Sequence, residues 1–295
     1  MPSLPDLPTE LLMEIVKYYP ELYLDIDAII HGMASEQFAG DDALRALSQT
    51  CRTLRGIFLP VLWARVYACF TSRNRPKKRV KRRAKMLERR MIGIQKTPYV
   101  MPHIRSLSVT LAECSMNNWQ PMAEFVRVLG VLPKLWHLTI GKVFNEMVPV
   151  LSTACQGKII PCFPNIQTLT FHPGLGCIPF LRALKGSVEH VHTLNNLTLY
   201  ANVIEYPGLR DSIPNEPMRL LENMDNLSDL RIRYREPLRF HVVYGTPPTS
   251  LEDIIATAKR ILRTSKATGR KELHMEEFTG DILRQETLII VGGDL

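Results

Sequence analysis

Five short segments of similar pattern recur along the chain: IRSLSV at 104–109, LWHLTI at 135–140, IQTLTF at 166–171, LNNLTL at 194–199 and LSDLRI at 227–232. Each has apolar residues at its first, fourth and sixth positions, and the central leucines follow one another at intervals of 31, 31, 28 and 33 residues. Alternation over the last positions is typical of a short strand with one buried face. Repetition at nearly constant spacing predicts a series of equivalent, stacked units.

The stretches between these segments predict the helices that parallel strands need as connections. Candidate helices cover residues 120–129, 144–154, 178–190 and 216–224, and a proline precedes three of the strands, at Pro102, Pro133 and Pro164. The pattern resembles the strand motif of leucine-rich repeats, with longer and less regular spacing. This predicts an α/β fold: an irregular leucine-rich-repeat solenoid, with parallel strands and outer helices, over residues 98–295.

Beyond Arg235 the pattern loosens. A helix capped by Ser250, with Asp253 at the reciprocal position, follows Pro247 and Pro248. Leu273 and Met275 predict a sixth strand, and the apolar run at 288–291 predicts a buried last strand or a cap, which solenoids need at their ends.

Solenoids bind partners on the extended face formed by their strands. The outward strand positions are candidates for contact with a protein target: His137, Thr139, Thr170, His172, Thr198, Tyr200, Arg231 and Arg233. Since the last two are cationic, we expect the C-terminal end of this face to favour an acidic or phosphorylated target. The alternative is that these polar residues are simply exposed to water and bind no target.

The first part of the chain predicts short amphipathic helices. In LPTELLMEI at 7–15, a proline stands where a helix starts, acids follow it, and the leucines share one side. In residues 41–68, apolar residues at helical spacing predict one helix, which Pro60 interrupts, and another apolar helix over 61–67. Three helices of this size leave too much apolar surface uncovered, which indicates a partner.

LPTELLMEI at 7–15, DALRALSQTCRTLR at 42–55 and the Leu62–Trp63 pair together resemble the F-box, a three-helix module. The resemblance implies a fold of residues 1–70, with an insertion at about 19–40 like that of some fungal F-box families, and an extra helix near 27–33. It also implies binding to a Skp-type adaptor, and through it to cullin, in a ubiquitin ligase. The residues implied in that contact are Leu7, Pro8, Leu11, Leu12, Ile15, Leu44, Leu47, Cys51, Leu54 and Trp63.

A basic segment joins the two parts of the chain. Residues 73–90 contain eleven Lys or Arg and one acid, so they account for more than the whole net charge of +8. We expect residues 71–97 to be a basic linker that ends in a helix carrying Met86, Leu87, Met91, Ile92 and Ile94. A nuclear localisation signal is expected at Lys77, Lys78, Arg79, Lys81, Arg82 and Arg83. A solvated helix face and a nucleic-acid patch are the alternatives.

Composition and motifs indicate a binding protein and not an enzyme. Apolar residues make up 45% and charged residues 22%, as in soluble globular proteins, and no apolar run of membrane-spanning length occurs. No signal peptide and no paired cysteine spacing occur, so free thiols in the cytoplasm or nucleus are expected. Cys155, Cys162, His172 and Cys177 lack zinc-site spacing, and His190 and His192 are expected to open a strand. No cofactor and no catalytic residue is expected.

Two functions remain open from the sequence. The first is a substrate receptor of a Skp–cullin–F-box ligase, which binds the adaptor through residues 1–70 and a protein target through the repeats. The second is a nuclear leucine-rich-repeat scaffold that acts outside a ligase and binds protein, or nucleic acid through the basic segment. Nucleic-acid binding of that kind falls steeply with salt.

Overall fold

The computed structural model describes most of the chain: residues 4–18, 39–68, 79–111, 120–143, 147–156, 163, 165–171, 178–184, 187–193, 221, 224–234, 251–279 and 282–290. In these ranges the chain is an α/β protein with eight α-helices and one eight-stranded sheet. The helices are α1 Thr9–Tyr18, α2 Ala39–Thr50, α3 Arg52–Ala64, α4 Arg79–Gln95, α5 Gln120–Val131, α6 Met147–Gln156, α7 Ile178–Ala183 and α8 Leu251–Thr264. The strands are β1 Arg65–Ala68, β2 Ser106–Leu111, β3 His137–Val143, β4 Thr168–Phe171, β5 His190–Thr193, β6 Asp229–Tyr234, β7 Lys271–Thr279 and β8 Ile282–Ile290.

The strands lie in the sheet in the order in which they occur along the chain. The first seven are parallel, and β8 pairs with β7 antiparallel. Two neighbouring parallel strands start at the same end of the sheet, so the chain must cross back between them. In the described ranges, helices make these connections. The predicted α/β class with parallel strands is confirmed.

One line of apolar side chains crosses the sheet and forms the centre of the core. The register aligns seven residues, each at most 1% exposed: Val66, Leu107, Leu138, Leu169, Val191, Leu230 and Leu273. Helices α4 to α6 and α8 add buried apolar residues to the same cluster, as their periodicity predicts. The core is therefore continuous from β1 to β7.

The backbone repeats the same hydrogen bonds at the start of successive strands. The carbonyl of the residue before a strand accepts from two consecutive amides of the next unit, at 2.8 to 3.2 Å. The carbonyls of Arg105, Trp136, Gln167 and Glu189 all do this. Units of different sequence thus share one local geometry.

The fourth repeat of the sequence was assigned to the wrong segment. The strand between β4 and β6 is β5, in which Val191 pairs with Leu169, whereas the pattern predicted a strand centred on Leu197. VEHVHT at 188–193 carries the same spacing with a threonine in last place, and Val188 and Val191 are fully buried. The helix predicted to continue to His190 accordingly ends at Ala183. Residues 194–199 lie outside the described ranges.

The helix boundaries near the N-terminus also differ from the prediction. The break falls at Cys51, whose backbone is extended, and α3 continues through Pro60 to Ala64. The hydroxyls of Ser48 and Thr50 donate to the carbonyls of Arg45 and Leu47, and such bonds compete with helix continuation. Residues 65–68, predicted as helix, form β1 because their alternate side chains enter the main core.

Candidate functional site

Six of the residues implied in adaptor contact lie in one apolar cluster. Leu12, Leu54 and Phe58 are each 1% exposed and form its centre, and Ile57 packs beside them with the half-buried Leu7, Leu44, Leu47 and Cys51. The cluster is separate from the core of the sheet. It holds α1 against the pair α2–α3. These three helices, over residues 9–64, are called the helical unit below, and the six side chains stabilise it from within.

Two other residues of the implied set face outward. Pro8 is exposed, and Leu11 is 52% exposed although its neighbour Leu12 is buried. Leu11 lies in the first turn of α1, and Pro8 immediately precedes the helix, three residues before Leu11. Leu4, in the turn before the helix, is also exposed. Ile15 lies in α1, but its side chain is outside the described set. The start of the chain thus presents a small uncovered apolar face.

Trp63 lies apart from that cluster. It packs against the core of the sheet, and the guanidinium carbon of Arg90 stands 5.8 Å from the centre of its ring. This distance is within the range of a cation–π contact. Trp63 therefore links α3 to α4.

Charged and polar side chains meet where the helical unit joins the sheet. Burial raises the pKa of Asp41 above its ordinary value, partly offset by the positive charges of Arg45, Arg90 and Arg65. Burial also raises the pKa of Tyr67 to about 12. Desolvation outweighs ion pairing at both groups.

The polar face of the sheet is formed by two lines of residues, at strand positions that alternate with the apolar line of the core; the side chain of His192, in the second line, lies outside the described set. The register aligns Ser106, His137, Thr168, His190, Asp229 and Glu272 in one line, and Ser108, Thr139, Thr170, His192, Arg231 and His274 in the other. His137, Thr139, Thr170 and Arg231 lie on this face, as the alternation predicted. His172, Thr198 and Tyr200 lie outside the described ranges, and so does the side chain of Arg233 in β6.

In the uncharged part of the polar face, the side chains form hydrogen bonds with one another. The imidazole Nε2 of His137 lies 3.0 Å from the Thr170 hydroxyl and 3.3 Å from that of Thr139. Thr139 and Thr170 are only 1% and 6% exposed, so they are less accessible than the outward positions of an open strand face were expected to be. The two threonines orient His137, which remains the accessible group of the three.

The charged half of the polar face carries acids beside the predicted Arg231. Arg231 Nε lies 3.8 Å from Glu276 Oε1, and the carboxylates of Asp229 and Glu272 stand on the same face. His274 Nε2 lies 3.0 Å from Glu272 Oε2 and 3.5 Å from Asp229 Oδ1. Glu276 therefore lies beside the arginine, and Asp229 and Glu272 lie beside His274. The expectation of an acidic target rests on Arg231 and Arg233 of β6, and it stays a prediction.

Asp229, Glu272, Glu276 and His274 were not among the predicted target-binding residues, although their positions on the polar face follow from the sequence. Asp229 occupies the same place in its repeat as His137 does in its own. The predicted sixth strand around Leu273 and Met275 places 272, 274 and 276 on the opposite, polar face by alternation.

The basic segment is helical from Arg79 onward. Helix α4 contains Arg79, Lys81, Arg82 and Arg83, whose side chains lie outside the described set, as do residues 77 and 78 altogether. Leu87, Met91 and Ile94 are buried in the core, which confirms the predicted helix leading into the body. The second half of the segment is thus part of the folded body.

Cys155 is buried, and burial raises the pKa of its thiol to about 11. A thiol with so high a pKa is a poor nucleophile near neutral pH. Cys162, His172 and Cys177 lie outside the described ranges. Within the described ranges, no three His, Cys, Asp or Glu side chains are placed to hold a metal ion.

The chain matches no protein-family model, no curated protein and no solved structure. Every helix in the described part of the chain is too short or too polar to cross a lipid bilayer.

Proposed function

We propose that this chain is the substrate-recognition subunit of a Skp–cullin–F-box ubiquitin ligase. In this proposal the helical unit is an F-box that binds a Skp-type adaptor, and the sheet body is a leucine-rich-repeat solenoid that binds a protein target. The observation that carries the proposal is the contrast at the start of α1 between the buried Leu12 and the exposed Leu11, with the exposed Pro8 just before the helix.

That contrast is the one expected of an obligate docking module. Leu12 packs inside the cluster, whereas Leu11 of the same helix and Pro8, just before it, lie outside the cluster and are exposed to water. Covering an exposed apolar face is favourable by roughly 25 cal/mol per Å². A partner that buries these side chains therefore gains affinity without disturbing the helices.

The arrangement of the body supports the solenoid part of the proposal. Sequential parallel strands with the same backbone bonds at the start of each unit are what stacked repeats produce. The antiparallel β8 covers the last parallel strand and would serve as a terminal cap. The polar strand face is then the surface for a target.

A receptor of this kind contributes proximity and needs no acid–base group of its own. It holds a target lysine near the ubiquitin thioester and so raises the effective concentration of the two reactants. The target would be held on the polar strand face, where His137 and His190 are accessible.

The experiment is recovery of a recombinant Skp adaptor on the tagged full-length chain. Pro8→Ala combined with Leu11→Ala is expected to reduce recovery by about tenfold, because half of the Leu11 surface is available for a partner to cover. Val131→Ala is the matched control, since Val131 is 46% exposed and lies far along the chain in α5. It should leave recovery unchanged.

Both substitutions act on exposed side chains, so a loss of recovery cannot be attributed to loss of the fold. Thermal unfolding of each variant checks this point. The proposal fails if the parent recovers no adaptor, or if the double variant recovers as much as the parent.

A further inference from the structure

A pocket of about 350 Å³ is lined by residues that belong to neither proposed surface. It is formed where α3 packs against the short 3₁₀ turn Met101–His103 that precedes β2. Its lining consists of Arg52, Arg55, Gly56, Leu59, Pro60 and His103. Two cations and an imidazole thus stand beside an apolar wall.

The charges around the pocket have one sign. Among the described residues no carboxylate lines it, and Arg52 and Arg55 are exposed and three residues apart, on one side of the helix. Arg105, two residues beyond His103, is exposed as well. Arginine pairs of this kind bind carboxylate and phosphate groups with directed hydrogen bonds.

The start of α3 adds a further positive contribution. The first turn of the helix contains no acidic residue, and Cys51 makes no side-chain cap. The partial positive charge of the helix N-terminus is therefore not offset by its own sequence. Opposite the charges, Leu59 and Pro60 offer an apolar contact, and Gly56 leaves the space between them open, since a Cβ there would meet nothing within 4 Å.

We propose that this pocket docks an acidic peptide segment of a partner protein. An Asp, Glu or phosphorylated side chain of the segment binds Arg52 and Arg55, and a neighbouring apolar side chain rests on Leu59 and Pro60. The charge complementarity identifies the occupant, because a basic or neutral peptide would leave both arginines unpaired. The site is distinct from the exposed face of α1 and from the polar strand face.

The test is selection of a phage-displayed library of random 12-residue peptides on the full-length chain. Selected peptides are expected to be enriched in Asp and Glu next to an apolar residue, and their binding should weaken as salt rises from 50 to 300 mM, about the range over which exposed charges become screened. Arg52→Glu with Arg55→Glu should weaken the best synthetic peptide by about tenfold or more.

Two further variants separate the pocket from general electrostatics. Arg260→Glu with Arg263→Glu makes the same change in charge on exposed arginines three residues apart in α8, and it should leave binding within about twofold of the parent. Gly56→Leu fills the pocket without changing charge. It should abolish binding while the fold persists, because the added side chain enters open space and leucine favours a helix more than glycine does.

Three outcomes would overturn the proposal. They are selection of peptides without acidic enrichment, equal loss of binding in the two arginine pairs, and full binding by Gly56→Leu. A fourth comes from the adaptor assay. If Arg52→Glu with Arg55→Glu also abolishes adaptor recovery while the α8 pair does not, the pocket belongs to the adaptor surface and is not a separate site.

Discussion

Replacement of Leu138 by alanine tests the core on which the whole body depends. Leu138 is fully buried in β3, and its Cα partners on either side, Leu107 and Leu169, are fully buried too. Because β3 is paired with a strand on each side, its neighbours can move only slightly into the space that the removed atoms leave. We therefore expect a cost in the middle of the range for buried leucine, about 3 kcal/mol.

The measurement is urea unfolding followed by circular dichroism. A chain of this size has a slope of roughly 3 kcal/mol per M, so the midpoint should fall by about 1 M with the slope unchanged. Val131→Ala, which truncates a 46% exposed side chain, should shift the midpoint by less than about 0.2 M. Equal midpoints for Leu138→Ala and the parent would show that the line of leucines faces water, and the register across the sheet would be refuted.

Three further predictions follow from burial of ionisable groups. Cys155 should resist thiol reagents at pH 8 in the folded chain while the half-buried Cys51 reacts, as peptide mass spectrometry can show; equal labelling would contradict its burial. Since folding raises the pKa of Cys155 from 9.0 to about 11, stability is complete below pH 9 and falls by about 2–3 kcal/mol as the pH passes 11. Cys155→Ala should remove that loss in thermal unfolding. Folding also raises the pKa of Asp41 above 3.8, so Asp41→Asn should match the parent near pH 3.5 and become relatively more stable as pH rises. A difference that stays constant with pH would mean that Asp41 is not desolvated.

The amphipathic helices show which features of the packing the sequence predicts and which it does not. Ile254, Ala258, Ile261 and Leu262 recur at helical spacing in α8, and all four are buried. A residue's position in a helical period is set by its neighbours along the chain alone. The place of Leu11 is different, because the same periodicity assigns it and Leu12 to one side, and only the position of α2–α3 decides which of them is covered.

The charge of the polar face of the sheet likewise cannot be predicted from one segment of the sequence. Arg231 is a cation in its own strand, but Glu276 lies beside it from β7, about 45 residues further along the chain. The sign of the local field depends on which strands are neighbours. That information is absent from any single segment.

The spacing of apolar residues along the chain is enough to predict the α/β class, the alternation that buries Leu107, Leu138, Leu169 and Leu230, and most of the helices between strands. Tertiary structure alone decided that Val191 and not Leu197 lies between β4 and β6, since two segments of equal local pattern differ only in the neighbours with which they pair. It also decided where the first helices end and how the arginines of α3 come to line a pocket with His103. These outcomes depend on contacts between residues distant in sequence, whose energies no local pattern encodes.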